Sequence, residues 1–172
     1  IANKLIKNLL SYATPEDLDF SYRNLKEIIE NILESVEARC KNNNIKIVAE
    51  IPVDLPLLFI DKLKLESSFM NFVSNSIDAM SDGGTLTVKV EVNKPGNEFI
   101  IDFYDTGTGI PQENMDKILE PFFTTKDDGV GLGMGLAYQT IKLHHGEFDI
   151  ESTEGKGTHI NIRLPIRNIN IN

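Results

Sequence analysis

Residues 85–105 constrain the fold of this chain more than any other stretch. Leu86, Val88, Val90 and Val92 alternate with Thr87, Lys89 and Glu91. Beyond Pro95-Gly96-Asn97, a second run sets Phe99, Ile101, Phe103 and Asp105 on one parity. A period of two sends alternate side chains to opposite faces of a strand. Two such runs joined by turn residues read as an antiparallel hairpin, with strands over 85–92 and 98–105, one apolar face and one polar face. The apolar face has to be covered by something else in the chain.

Helical periodicity supplies the cover. Leu25, Ile28, Ile29, Ile32, Leu33 and Val36 follow the 3.6-residue repeat and predict a helix over 24–42. Phe69, Met70, Val73, Ile77 and Met80 form the stripe of a helix over 62–80, closed by Asp82-Gly83-Gly84. A third helix is expected over 134–145. Further strands are expected over 45–51, 58–60, 148–152 and 158–164. Residues 1–12 read as the end of a helix, with Ile1, Leu5, Leu9 and Tyr12 near one face. That segment is too short to stand alone. Thr14-Pro15-Glu16-Asp17 marks a boundary after it. The expected architecture is a two-layer α/β (α+β) sandwich, a sheet covered on one face by helices.

Charge narrows the function classes. The net charge is −9, which disfavours a general binder of nucleic acid backbone. The single cysteine, Cys40, excludes an internal disulfide and any multi-cysteine metal site, and its place in a helical pattern gives it a structural role. No apolar run approaches the length of a membrane span. The chain begins at Ile1, so a piece of a longer protein is expected, with a cytoplasmic location for this part.

Three stretches carry chemistry. Asn71, Asn75 and Asp78 stand at i, i+4 and i+7, nearly opposite the apolar stripe of their helix. Asparagine is a mediocre helix former. Two readings fit: a solvated polar face, or neutral oxygens for Mg²⁺, a cation that keeps waters and substrate phosphates in its shell. Asp105 ends an otherwise buried row and needs a donor. An adenine amino group is one such donor, and Gly107 and Gly109 free the backbone to turn beside a flat base. A polar loop after an edge strand fits the same residues. Finally Gly129, Gly131, Gly133 and Gly135 alternate just before a helix. Backbone N–H groups freed there can bind phosphate, and Lys126 offers a point charge. A flexible surface loop is the other reading.

Taken in order, these stretches resemble the boxes of the GHKL ATP-binding superfamily, over about residues 20–166. Asn71 to Asn75 is similar to its N box and Asp105 to Gly109 to its first glycine box. Pro121-Phe122-Phe123-Thr124-Thr125-Lys126 resembles the F box of histidine kinases. Gly129 to Gly133 resembles the second glycine box. Leu143-His144-His145-Gly146 resembles a leucine-histidine-glycine-glycine, with His145 in place of a glycine. Gly155-Lys156-Gly157-Thr158 matches the motif before the last strand. The resemblance implies the Bergerat fold, a mixed sheet, and the catalytic domain of a sensor histidine kinase that uses ATP or ADP with Mg²⁺.

It also implies roles. Asn75 ligates Mg²⁺ and Asn71 supports metal or phosphate. Asp105 recognises adenine, with Thr158 beside it. Gly107, Gly109 and Ile110 shape the base pocket. Thr124, Thr125, Lys126, Gly131, Leu132, Gly133 and Met134 contact phosphates or form a mobile lid, anchored by Phe122 and Phe123. Asn71, Asn75 and Lys126 make the catalytic set. Asp78 departs from the many members with a basic residue at that position. Asn71 stands where the hydrolysing members carry a glutamate, and an amide cannot act as a general base. That favours a kinase over a chaperone or topoisomerase ATPase. The rivals are a serine kinase of anti-sigma-factor type and a pseudokinase interaction module.

For partners, the resemblance implies a separate histidine phosphoacceptor domain, a response regulator and a homodimeric parent, without nucleic acid or membrane contact by this part. Residues 1–13 are then the remnant of the second helix of the phosphoacceptor domain, and 14–172 the ATP-binding domain. None of His144, His145 and His159 has an acceptor's setting.

Overall fold

The computed structural model describes residues 18–95, 97–126 and 129–166. The helix expected over 1–12 and the boundary at 13–14 lie outside them. In chain order the elements are β1 (Phe20–Arg23), α1 (Leu25–Asn42), β2 (Ile45–Glu50), β3 (Leu58–Asp61), α2 (Lys62–Asp78), β4 (Gly84–Asn93), β5 (Glu98–Asp105), α3 (Gln112–Met115), α4 (Gly133–Leu143), β6 (Glu147–Thr153) and β7 (Gly157–Pro165). Both long helices begin on side-chain caps. The Asn24 side chain accepts from the Lys26 N–H at 3.0 Å, and Asp61 Oδ1 from the Lys64 N–H at 3.1 Å. Each cap pairs a helix-end donor that would otherwise lack a partner.

The main sheet runs β2–β4–β5–β7–β6, with β2 parallel to β4 and every other pairing antiparallel. It is the expected mixed, mostly antiparallel sheet. Strands β1 and β3 form a separate two-stranded ribbon. On the covered face Leu86, Val88, Val90, Phe99, Ile101, Phe103, Ile160, Ile162 and Leu164 are buried. They meet α1, α2 and α4. Phe72 sits at the middle of the contact, its ring centroid 5.7 Å from both Phe103 and Phe148. The opposite face is polar. Its one buried carboxylate, Asp102, accepts from Asn161 Nδ2 at 2.7 Å and pairs with His159 Nε2 at 2.7 Å. The His159 ring stacks on Tyr104, with centroids 4.0 Å apart.

The structure corrects several details. Strand β1 and the short α3 were not expected. The buried face of α2 takes in Ser68, Phe72 and Ser76, while Met70 is only half-buried. The helix is wedged between the sheet and α4, so its apolar contact is wider than a single stripe. Asn71 and Asn75 therefore look at α4 and its leading loop rather than into open solvent. Helix α4 begins at Gly133 and ends at Leu143.

Candidate functional site

Register builds the first half of the site. Asp105, the last residue of β5, lies between Leu86 of β4 and Thr158 of β7. It is nearly buried, and the protein itself supplies its donors. Oδ2 accepts from Ser76 Oγ at 2.9 Å. Oδ1 accepts from the Gly107 N–H at 2.9 Å and the Thr158 N–H at 3.2 Å. A carboxylate has roughly four lone-pair sites, so three internal bonds leave capacity for one more donor. An outside amino group is thus not needed to satisfy Asp105, although one can still be accommodated. Thr158 Oγ1 is 2.9 Å from Ser152 Oγ. Ser152 Oγ also accepts from the Ile110 N–H at 2.9 Å, tying the loop after β5 to the end of β6.

The two glycines of that loop serve the protein's own backbone first. A Cβ on Gly107 would lie 2.7 Å from the Ala79 carbonyl, and Gly109, at φ +68°, has the Thr153 carbonyl where its Cβ would be. The loop is therefore clamped between the C-terminus of α2 and the β6–β7 turn. The Thr108 N–H bonds to the Ala79 carbonyl at 2.9 Å and the Gly155 N–H to the Thr108 carbonyl at 2.7 Å.

The other half lies along the exposed edge of α2. Asn71 Nδ2 donates to the Gly133 carbonyl at 3.3 Å, joining α2 to the start of α4. Lys126 Nζ donates to Asn75 Oδ1 at 2.9 Å and to Asp78 Oδ2 at 2.6 Å. Asp78 Oδ1 pairs with the Arg39 guanidinium of α1, which also reaches Ser74 Oγ at 3.2 Å. The loop from Phe122 to Gly131 is closed at its base, where the Phe122 N–H bonds to the Gly131 carbonyl at 2.8 Å. Leu132 is buried and Met134 packs on the core, while Thr124 and Thr125 are exposed. The expected Phe122–Phe123 anchor is corrected in part. Phe122 has φ +69° and is 58% exposed, so most of its surface faces solvent. Phe123 is half-buried.

The donor set suits a hard cation. Asn75 Oδ1 and Asp78 Oδ2 already converge on one positive group, the Lys126 ammonium. Magnesium favours oxygens of this kind. Sequence reading brought Asn71, Asn75, Asp78, Lys126 and Asp105 forward but missed Ser76, Ser152 and Arg39. A polar residue inside a helical period or on a strand has no signature until its partner is placed. The histidines are accounted for. His144 is buried, its Nε2 accepting from the Asp61 N–H at 3.0 Å, with Nδ1 2.7 Å from the Thr140 carbonyl. His145 takes the left-handed φ of +59° just past α4, where glycine is the usual choice. His159 belongs to the polar sheet face.

Residues 60–168 match the family model described as histidine kinase-, DNA gyrase B- and HSP90-like ATPase. The chain is 30% identical to sporulation kinase E of Bacillus subtilis over 95% of its own length and 22% of that protein. It is 32% identical to sporulation kinase C of the same organism over 95% of its length and 38% of that one. The chain thus spans under two-fifths of these relatives. Among solved structures, the catalytic domain of histidine kinase ThkA superposes with a TM-score of 0.77 at 27% identity, covering 87% of this chain and 97% of that domain. ThkA in complex with the response regulator TrrA gives 0.80 at 23% identity, covering 96% and 47%. Full-length ShkA with AMPPNP gives 0.84 at 20% identity, covering 96% and 36%, a likeness of fold. The chain belongs to the histidine kinase-, DNA gyrase B- and HSP90-like ATPase family.

Proposed function

We propose that this domain binds Mg·ATP and passes the γ-phosphoryl group to a histidine on a separate dimerisation and phosphoacceptor domain, as the catalytic part of a sensor histidine kinase in two-component signalling. The observation that carries the reading is the meeting of Asn71, Asn75 and Lys126 beside the glycine-rich start of α4, on the same helix that pairs Ser76 with Asp105. In this reading Asp105 uses its remaining acceptor capacity on the adenine amino group, with Thr158 alongside. Asn75 holds the metal, Asn71 supports it, and Lys126 with the N–H groups near Gly131 and Gly133 takes the phosphates. Magnesium, when bound, neutralises and orients phosphate oxygens. Likeness to a fold neighbour solved with AMPPNP supports a nucleotide here.

The chain's own residues then favour transfer to an aligned nucleophile over hydrolysis. Phosphoryl transfer depends mainly on positioning and charge stabilisation. Asn71 cannot take a proton from water, and one of its two amide N–H groups is already given to the Gly133 carbonyl. None of the three histidines has an acceptor's surroundings, so the acceptor comes from another domain. A homodimeric parent that holds this domain in the cytoplasm and a response regulator complete the reading, the latter in line with the ThkA–TrrA complex.

Incubation with γ-labelled ATP tests this, first with the domain alone and then with the parent's histidine-bearing helical domain. Acid-labile label on the helical domain, with little on this one, is the expected result. Strong label on this domain, or rapid phosphate release without an acceptor, contradicts it.

A further inference from the structure

Among the described residues, Asp78 supplies the carboxylate that meets the Lys126 ammonium, and both its oxygens are engaged. One meets Arg39 of α1 and the other Lys126, whose ammonium also rests on Asn75 Oδ1. Arg39 is in turn fixed to Ser74 one turn earlier on α2. A single carboxylate therefore joins α1 to the tip of the glycine-rich loop, across the outer edge of α2. The loop is otherwise closed on itself, by the Phe122–Gly131 backbone bond and by Thr124 Oγ1 accepting from the Lys126 N–H at 3.1 Å. With Asn75 and Asp78 each taking a donor, the Lys126 ammonium keeps one of its three N–H groups for any further anion.

We propose that Asp78 is a positioning residue that latches the loop in the free protein. It draws the Lys126 ammonium onto the two oxygens of α2 and keeps the loop seated until a stronger anion draws the ammonium off. The latch is a property of the nucleotide-free protein, whereas its release rests on the nucleotide reading above. Two consequences follow from charge. With Asp78 present, an anionic ligand competes with an existing ion pair beside a fixed negative charge. Without Asp78, Lys126 is held by Asn75 alone and one repelling carboxylate is gone.

The side chains of Asp78 and Lys126 are 34% and 45% exposed, so salt screens the pair and its worth is modest. The expected effects are correspondingly small but directional. Hydrogen exchange of the peptide spanning residues 122–135 is measured in the free protein for wild type, Asp78→Asn, Lys126→Met and the double variant. Each single variant should exchange about two- to fivefold faster than wild type, the range an exposed ion pair supports. The double variant should match Lys126→Met, because that substitution already removes the contact that Asp78→Asn breaks. Raising the salt concentration should speed wild type towards the variants and leave the variants unchanged.

In a parallel titration with ADP, run with and without magnesium so that any cation role of Asp78 is separated, Asp78→Asn should bind magnesium-free ADP more tightly and Lys126→Met more weakly than wild type. Wild-type exchange rates in Asp78→Asn, or additive rates in the double variant, overturn the latch. Equal loss of nucleotide affinity in both single variants overturns its release by an anion. Failure of wild type to bind nucleotide overturns the nucleotide reading, while the free-protein comparison still decides the latch.

Discussion

Ser76 and Asp105 face each other across the interface between α2 and β5, and among the described residues Asp105 Oδ2 takes its one donor from the Ser76 hydroxyl. Ser76→Ala leaves a buried carboxylate oxygen without that donor, which typically costs about 1–3 kcal/mol. Urea unfolding should show a lower midpoint, and an unchanged midpoint would show that Asp105 does not depend on Ser76. His145→Gly should act the other way. A left-handed conformation costs a side-chain-bearing residue roughly 1–2 kcal/mol, part of which glycine returns in unfolded-state freedom. A rise in stability of about 1 kcal/mol is expected, and a lower melting temperature would contradict it. Cys40 is buried in α1, and that burial pushes its thiol up, only partly opposed by the charge of Arg39. It should react slowly with a thiol reagent in the native protein and readily in urea. Asp105 could be found from sequence because strand parity placed it at the end of a buried row. Ser76 could not, since a serine inside a helical period looks the same whether it meets solvent or a carboxylate.

Elements with strong periodicity were legible and those formed by distant pairing were not. The alternation of Leu86, Val88 and Val90 with polar residues located β4, and the hairpin to β5 followed from it. Strand β1 has only four residues, and it exists because Phe20 and Tyr22 find Asp61 and Phe59 of β3. Nothing local announces such a ribbon. The contact of α2 is also wider than its periodic stripe, because Phe72 lies beside the stripe and its ring bridges Phe103 and Phe148. Phe72→Ala should therefore cost about 3–5 kcal/mol, as a large core truncation does. A cost under about 1 kcal/mol, typical of a surface site, would place the ring outside the core. The glycine-rich loop is the element expected to respond to ligand. Amides over 124–134 should exchange more slowly with an ATP analogue than without it, because the loop has few buried contacts of its own. Equal, strong protection in both states would argue against a lid.

At the scale of the whole domain, the sheet has one face given to the core and one left polar, and the candidate site lies at the covered side's edge, where β5, β7, α2 and α4 converge. The order of the boxes along the chain made this convergence legible before any contact was known. The contacts that decide how the site is held were not legible: the three internal donors to Asp105, and the Arg39–Asp78–Lys126 chain. The net charge of −9 makes local donors necessary if an anionic nucleotide is to bind at all. Calorimetric titration with Mg·ADP tests this most directly, on wild type and on Asp105→Asn. Wild type should show saturable binding at one site. The variant should bind roughly tenfold to hundredfold more weakly, the loss of one charged hydrogen bond. No saturable binding by wild type, or the same affinity in both proteins, would contradict the account.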